Sequence, residues 1–332
     1  MADVPIDSGG GGPLAFLRTQ AARNVYERVM HALLFIASAF SILVTLGIIA
    51  SLFGEAITFF TANPEVTLRE YLTGTEWAPL LQSNPQFGIL PLINGTIMIA
   101  VLSSLVALPV GLATAIFLSE YAPGRLRRAV KPLLEILSGI PTVVYGYFAL
   151  VFITPQLERI IAAINTAFGL TDGPGEIEIN LFNALSASIV VGVLIIPLVA
   201  SISEDAMRSV PRSLREGSFA LGATQFETAT RVVVPAALSG ILASFVIAIS
   251  RAIGETMAVT VAAGATPKMT LNPLESVQTM TAFIVQVSFG DAAAGSINSQ
   301  SIYAVGATLF LMTFTMNLIG DFILRRFREE YE

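Results

Sequence analysis

Long stretches without a formal charge constrain this chain more than any other feature. Residues 29–54, 136–157, 179–203 and 292–320 contain no Asp, Glu, Lys or Arg, and residues 77–119 form a further charge-free run. About 20 mostly apolar residues cross the hydrocarbon of a bilayer as a helix, and every one of these runs is long enough. Within 77–119, the part from Trp77 to Pro91 holds Pro79, Pro85 and Pro91 together with Gln82, Asn84 and Gln86. Irregular backbone cannot face lipid with its polar groups unpaired, so the spanning part is 92–118. One more apolar stretch, 236–264, is interrupted only by Arg251 and Glu255. The expectation is an all-α polytopic membrane protein with six transmembrane helices.

Composition and charge support this. The 332 residues are 54% hydrophobic and 13% charged, with a mean hydropathy of +0.74. An ordinary soluble domain is about 25% charged, so a cytosolic enzyme, a disordered chain and a nucleic-acid binder are excluded. There is no cysteine for a disulfide or thiolate site, and the only histidine, His31, is read as an interfacial or packing residue. Orientation follows from the Lys/Arg bias. With the N-terminus inside, the inner segments hold 14 of the 18 basic residues and the outer segments hold Arg69, Arg159 and Lys268. Both termini are therefore expected in the cytoplasm. The expected organisation is a cytoplasmic segment at 1–28, a six-helix domain at 29–325 with a cytoplasmic loop at 204–235, and a tail at 326–332. The first apolar run is too long for a cleaved signal. Gly9–Gly12 reads as a flexible lead, and 14–28 as either an interfacial helix or a plain positive topology signal. The outer segments carry an acidic set that includes Glu65, Glu158, Asp172, Glu176, Glu178, Glu275 and Asp291.

Motifs that would give the chain its own chemistry are missing. Neither lysine, Lys131 or Lys268, follows a glycine, so there is no P-loop. Any ATP-driven work must use an ATPase on another polypeptide. The loop 204–235 predicts two short helices with a bend, forming a knob or, alternatively, an amphipathic segment on the bilayer. Pro211 opens the first helix, Ser213 and Glu216 have capping-box spacing, Gly222 ends it, and a second helix restarts near Thr224. Glu216-Gly217-Ser218, Gly222 six residues after the glutamate, and Val232-x-Val234-Pro235 resemble the E-A-A-x3-G-x9-I-x-L-P signature of binding-protein-dependent ABC importer permeases. The departures are small-for-small and aliphatic-for-aliphatic. The resemblance implies a type I (MetI-like) permease fold and a loop that docks on the ATPase, with Glu216, Ala220, Leu221 and Gly222 in the coupling role.

Arg251 and Glu255 are the strongest site candidates. An intramembrane charge costs roughly 2.5–3.5 kcal/mol on insertion scales and normally faces a cavity or bundle interior. Spaced i, i+4 on one helix, the two are expected on one face. They form either a structural salt bridge or an anion site, because a guanidinium fork suits a tetrahedral oxyanion. The stretch Ser250-Arg251-Ala252-Ile253-Gly254-Glu255-Thr256-Met257 resembles a motif of the phosphate-specific (Pst) importer permeases, as does Gly139-Ile140-Pro141-Thr142-Val143-Val144-Tyr145-Gly146. In the latter, Gly139, Pro141 and Tyr145 are candidates for a helix bend, either beside the substrate path or serving packing alone. The resemblance implies a phosphate permease in a prokaryotic plasma (inner) membrane, working by alternating access. Its implied partners are a PstA-like second permease, a PstB-like ATPase dimer and a PstS-like phosphate-binding protein. No cofactor is expected on this chain, ATP and Mg being used by the ATPase. A sulfate, molybdate or PstA-like permease and a stand-alone anion transporter are the alternatives.

Overall fold

The computed structural model describes residues 13–64, 66–79, 85–170, 173, 175–290 and 295–326, with side chains of the first helix described from Tyr26 onward. The Gly9–Gly12 lead, the tail from 327, and the acidic residues Glu65, Asp172 and Asp291 lie outside the described residues. The chain divides into two units, residues 1–54 and 55–332.

The described part of the first unit, from Pro13 on, is a single stretch of helix, the greater part of α1 (Pro13–Ala62). At 1.5 Å per residue, α1 is about 75 Å long. Leu33, Phe35, Phe40, Leu43 and Leu46 are exposed, so the helix is apolar on all sides, as a membrane span is. Its few hydroxyls fold back on the backbone. Ser38 donates to the Leu34 carbonyl (2.8 Å) and Thr45 to that of Ser41 (2.9 Å).

The second unit begins with the last turns of α1 and a cap of α2 (Leu68–Thr73) and a two-stranded antiparallel ribbon, β1 (Trp77–Ala78) with β2 (Gln86–Phe87). The long helix α3 (Leu90–Ile116) extends through a π-helical turn at Phe117–Tyr121. An amphipathic helix α4 (Gly124–Ser138) precedes α5 (Thr142–Phe148), a π turn at Ala149–Ile153 and α6 (Thr154–Phe168). Next come α7 (Ala184–Ser209), α8 (Arg212–Ala220), α9 (Gln225–Thr228), a third π turn at Ala229–Val233, and α10 (Val234–Ala236). The chain finishes with α11 (Leu238–Ile253), α12 (Met257–Ala262), α13 (Met280–Phe289) and α14 (Ile297–Arg326). Pro123, Pro155 and Pro235 each stand two residues beyond a π turn. Proline removes one backbone donor and crowds the preceding turn. The wider i→i+5 turn gives the ring room; helix continues through Pro155 and Pro235, whereas Pro123 caps the start of α4.

Among the described residues, five helices are long and apolar enough to span a membrane, and the pair Gln225–Ala236 and Leu238–Ile253, bent by 72°, makes a sixth when counted as one span. The expected six-span architecture is therefore present, with two edges moved. The third span runs Thr142–Phe168, not 136–157. The charge-free window opens inside α4 because Glu135 sits in that helix's last turn, while Glu158 and Arg159 lie within α6. The fifth span does not continue to 264, because α11 ends at Ile253.

Three buried apolar clusters hold the second unit together. At the cap end, Phe59, Tyr71, Trp77, Phe87 and Phe283 meet edge to face, with Trp77–Phe283 ring centroids 4.9 Å apart and Phe59–Phe87 5.5 Å apart. Burial pushes the Tyr71 phenol well above its ordinary range, and its hydroxyl meets Thr308 at 2.8 Å. The middle cluster joins α3, α7, α11 and α12, and the third, at the opposite loop end, contains Ala115, Met207, Val210, Val233, Ala237 and Ile241. The non-helical chain between α12 and α13 is buried at its two ends, residues 263–264 and 277–279, and exposed or half-buried between them, with Leu271 90% exposed. Its backbone is paired: Val277 N–H donates to the Ala263 carbonyl (3.1 Å), Leu185 N–H to that of Pro273 (2.7 Å) and Met280 N–H to Thr96 Oγ1 (3.1 Å). Such backbone is tolerated at membrane depth when protein surrounds it.

Candidate functional site

The two candidate charges sit on either side of a helix end. Gly254 N–H donates to the Ser250 carbonyl (3.2 Å) and Glu255 N–H to that of Ala252 (3.3 Å), tightening the last turn of α11 and stopping it. α12 then restarts at Met257. The expected shared face on a continuous helix is overturned. Arg251 and Glu255 flank a break, and no ion pair between them occurs among the described residues. Arg251 lies in the final turn of α11, about 20 Å along the helix from Leu238. It is exposed in this chain, and its charge complements the carbonyl end of the helix. Glu255 is buried at 8% exposure. Its Oε1 accepts the Ala258 N–H at 3.3 Å, in the first turn of α12, and its carbonyl accepts the Thr281 hydroxyl at 2.7 Å. The carboxylate is thus fixed by the next helix, while the guanidinium keeps its planar set of donors free of any carboxylate among the described residues.

Gly139 and Pro141 do not bend a span; they separate two helices. Gly139 caps the C-terminus of α4 and Pro141 the N-terminus of α5. A glycine followed by a rigid proline closes one helix and opens another. Tyr145 spans this junction, its hydroxyl donating to the Leu137 carbonyl at 3.0 Å. Tyr145 also packs on the cluster that holds Ala252, Ile253 and Ala258. Next to it, Gly146 lets α5 rest on α12, because a Cβ there would stand 2.8 Å from the Ala258 carbonyl oxygen. The two sequence stretches that flagged this region therefore meet around the helix break.

The loop 204–235 forms two short helices, as the sequence predicts, with its capping box displaced. α8 starts at Pro211 with no side-chain cap, so Ser213 and Glu216 do not form the expected box. The box belongs to α9, where Thr224 Oγ1 accepts the Glu227 N–H (3.3 Å) and Glu227 Oε2 accepts the Thr224 N–H (2.9 Å). Gly222 follows α8 with φ +83°, a left-handed conformation that favours glycine. Its N–H donates to the Phe219 carbonyl (2.9 Å) and the Ala223 N–H to that of Ser218 (3.2 Å), a complete Schellman turn. Glu216, Ala220 and Gly222 are exposed, and Leu221 is 91% exposed, beside exposed Phe219 and Phe226. The bend leaves an apolar tip.

Sequence reasoning missed the charges that fasten this end. Glu204 is 1% exposed and faces Arg127 at 2.6 Å, Lys131 at 3.1 Å and Arg208 at 3.9 Å; Lys131 also reaches Asp205 at 2.5 Å. Burial lowers the Lys131 pKa, but its hydrogen bonds to Asp205 and Glu204 outweigh this and leave it above the ordinary lysine value. Glu120 pairs with Arg215. The available signal was positional: Glu120 and Glu204 are the first charges after two of the charge-free runs.

Residues 107–329 match the family described as binding-protein-dependent transport system inner membrane component. The probable ABC transporter permease protein YqgH of Bacillus subtilis is 35% identical over 295 residues, covering 89% of this chain and 88% of its own. The phosphate transport system permease protein PstC of Mesorhizobium japonicum is 32% identical, covering 87% and 88%. Among solved structures, a chain of a bacterial ABC transporter involved in the import of alginate matches with TM-score 0.59 at 14% identity, over 92% of this chain and 100% of that one. A chain of the inward-facing MetNI methionine ABC transporter matches with TM-score 0.53 at 19% identity, over 73% and 98%. These two share the fold. With its six spans, its permease relatives and the family match over two thirds of its length, this multi-pass membrane protein belongs to the binding-protein-dependent transport system inner membrane components, the permeases of ABC importers.

Proposed function

We propose that this chain is the transmembrane permease subunit of an ATP-driven phosphate importer, moving inorganic phosphate across a prokaryotic plasma membrane by alternating access. The observation that carries the reading is Arg251, an exposed guanidinium at a helix break inside the membrane domain, with no carboxylate partner among the described residues. Relatives named as phosphate permeases support it. Arg251 takes the oxyanion in a bidentate charge-assisted contact. Glu255 repels a fully deprotonated anion and accepts a hydrogen bond from the hydroxyl of hydrogen phosphate, which favours phosphate over sulfate.

The Lys/Arg bias puts the 204–235 loop and both termini in the cytoplasm and the aromatic cap outside. The chain pairs with a PstA-like permease, receives phosphate from a PstS-like binding protein on the cap side, and is driven by a PstB-like ATPase dimer that consumes ATP and Mg on the loop side. The chain itself carries no catalytic residue in this scheme. Its Glu216, Ala220, Leu221 and Gly222 contact the ATPase, and the apolar tip fills a groove there.

The test is phosphate uptake by the assembled transporter in proteoliposomes. Arg251→Gln and Glu255→Gln are expected to lower uptake at least tenfold while the complex still assembles. Normal uptake in both variants reduces the pair to a structural role. Stimulation of ATP hydrolysis by sulfate or molybdate, but not phosphate, moves the assignment to another oxyanion.

A further inference from the structure

The knob formed by α8 and α9 is anchored in an unusual way. α8 contributes no buried residue, so no apolar side chain fixes it to the helices beneath. Its side-chain attachments are two. Ser218 meets the Thr228 hydroxyl at 2.9 Å, which ties α8 only to α9. Arg215 does everything else. Its Nη2 and Nε donate to Oε1 and Oε2 of Glu120 at 3.0 and 3.2 Å, a two-point contact. Nη1 donates to the Val210 carbonyl and Nη2 to the Met207 carbonyl, each at 2.8 Å. Val210 is the C-cap of α7 and Met207 lies in its last turn, where the Met207 carbonyl also accepts the Val210 N–H (3.3 Å). One side chain therefore joins α8 to the ends of both α3 and α7.

Glu120 is the hub on the other side. Its carboxylate is 8% exposed and also accepts the Ser119 hydroxyl (2.8 Å), and its carbonyl accepts an N–H of the Gln225 side-chain amide from α9. It sits in the π turn that ends α3, a distortion frequent at functional positions. Two covalent routes also leave the knob: Pro211 leads back to α7, and the arm Gln225–Ala236, which packs Val233 beside Ala115 and Met207, meets α11 at the 72° bend. A fork of parallel charge-assisted bonds resists rotation as well as separation.

We infer that the Arg215–Glu120 pair is the rigid link that delivers movement of the loop to α3 and α7. The two are positioning residues for transport and touch neither nucleotide nor phosphate. When the pair is cut, the ATPase still moves the knob, but α8 loses its charge-assisted hold on α3 and α7, and less of the movement reaches them. This rests on the permease reading above.

The experiment uses the full transporter in proteoliposomes and measures ATP hydrolysed per phosphate imported. Glu120→Gln and Arg215→Lys are expected to retain the ATPase on copurification and to raise that ratio at least fivefold. Because the chain has no cysteine of its own, Glu120→Cys with Arg215→Cys allows a cleavable bis-thiol bridge, given a cysteine-free ATPase and partner permease. The bridged complex is expected to couple normally and to lose coupling when the bridge is cut by reductant, a reversal that a simple folding defect does not produce. It also serves if the single variants fail to assemble. A wild-type ratio in both single variants, or equal ratios before and after bridge cleavage, overturns the link. A wild-type chain that captures no ATPase and imports nothing overturns the permease reading instead.

Discussion

The loop end of the molecule and the break after α11 handle charge in opposite ways. At the loop end, buried carboxylates are surrounded by cations: Glu204 has three within 4 Å, although its Oε1 accepts no hydrogen bond, and Glu120 has the fork of Arg215. At the break, Glu255 is held by a backbone N–H and Arg251 is left open to its surroundings. Buried ions are costly unless their partners and hydrogen bonds are complete. Opposite charges close by are what structural charges need, and the loop end supplies them. An exposed guanidinium inside the membrane domain adds nothing comparable to stability, so the contrast separates charges that build the bundle from one that is available to a ligand.

The contrast breaks most readily at Glu204. Glu204→Ala leaves Arg127 and Lys131 facing an empty buried position and is expected to cost about 3–5 kcal/mol. It should appear as a large drop in thermal stability with fast amide exchange over α4. A stability within error of wild type would mean that the loop-end charges are as dispensable as Arg251.

Arg251→Gln is expected to do the reverse. Losing a charge-assisted contact of about 1.5–3 kcal/mol lowers phosphate uptake between tenfold and about a hundredfold, whereas thermal unfolding stays within about 0.5 kcal/mol of wild type. A large stability loss here would place Arg251 with the structural charges.

Gly222→Val tests the tip rather than the charges. Its left-handed backbone makes a β-branched residue cost about 1–2 kcal/mol, read as a lower melting temperature and as weaker capture of the ATPase. No atom crowds the position, so the strain is in the backbone. Gly222→Asn, which tolerates that conformation better, should recover most of the loss.

The smallest expected effect is at the cap end. Lys268 hydrogen-bonds Glu275 at 2.6 Å and holds its carboxyl below the ordinary value. Because the folded value is depressed, the pair contributes above the ordinary glutamate range and is lost as pH falls through the lowered value. Solvent screens so exposed a pair. Lys268→Met should therefore flatten the acid limb of a stability–pH profile only slightly, and a steep change would show that the cap relies on charge after all.

Much of the fold was legible because hydrocarbon imposes a length rule that charge-free runs reveal directly. The six spans and the two-helix loop follow from it and from turn residues. The break in the fifth span was not legible. Between Ile253 and Met257 there is no proline, and Gly254 alone is a weak stop signal, so Arg251 and Glu255 read as neighbours on one face. The third span was displaced because an amphipathic helix can end in uncharged residues, leaving Ile136 and Leu137 looking like membrane. At the site, Arg251 stood out by its charge. Arg215 and Glu120 did not, because they lie 95 residues apart and only tertiary structure brings them together.

The bare tip of Leu221, Phe219 and Phe226 has a consequence for the cell. A greasy beak left in water invites the wrong company, so this subunit is safe only when whatever sheathes the beak is made in step with it. Surplus copies are material for quality-control proteases, and the amount of the whole machine is set by its scarcest part.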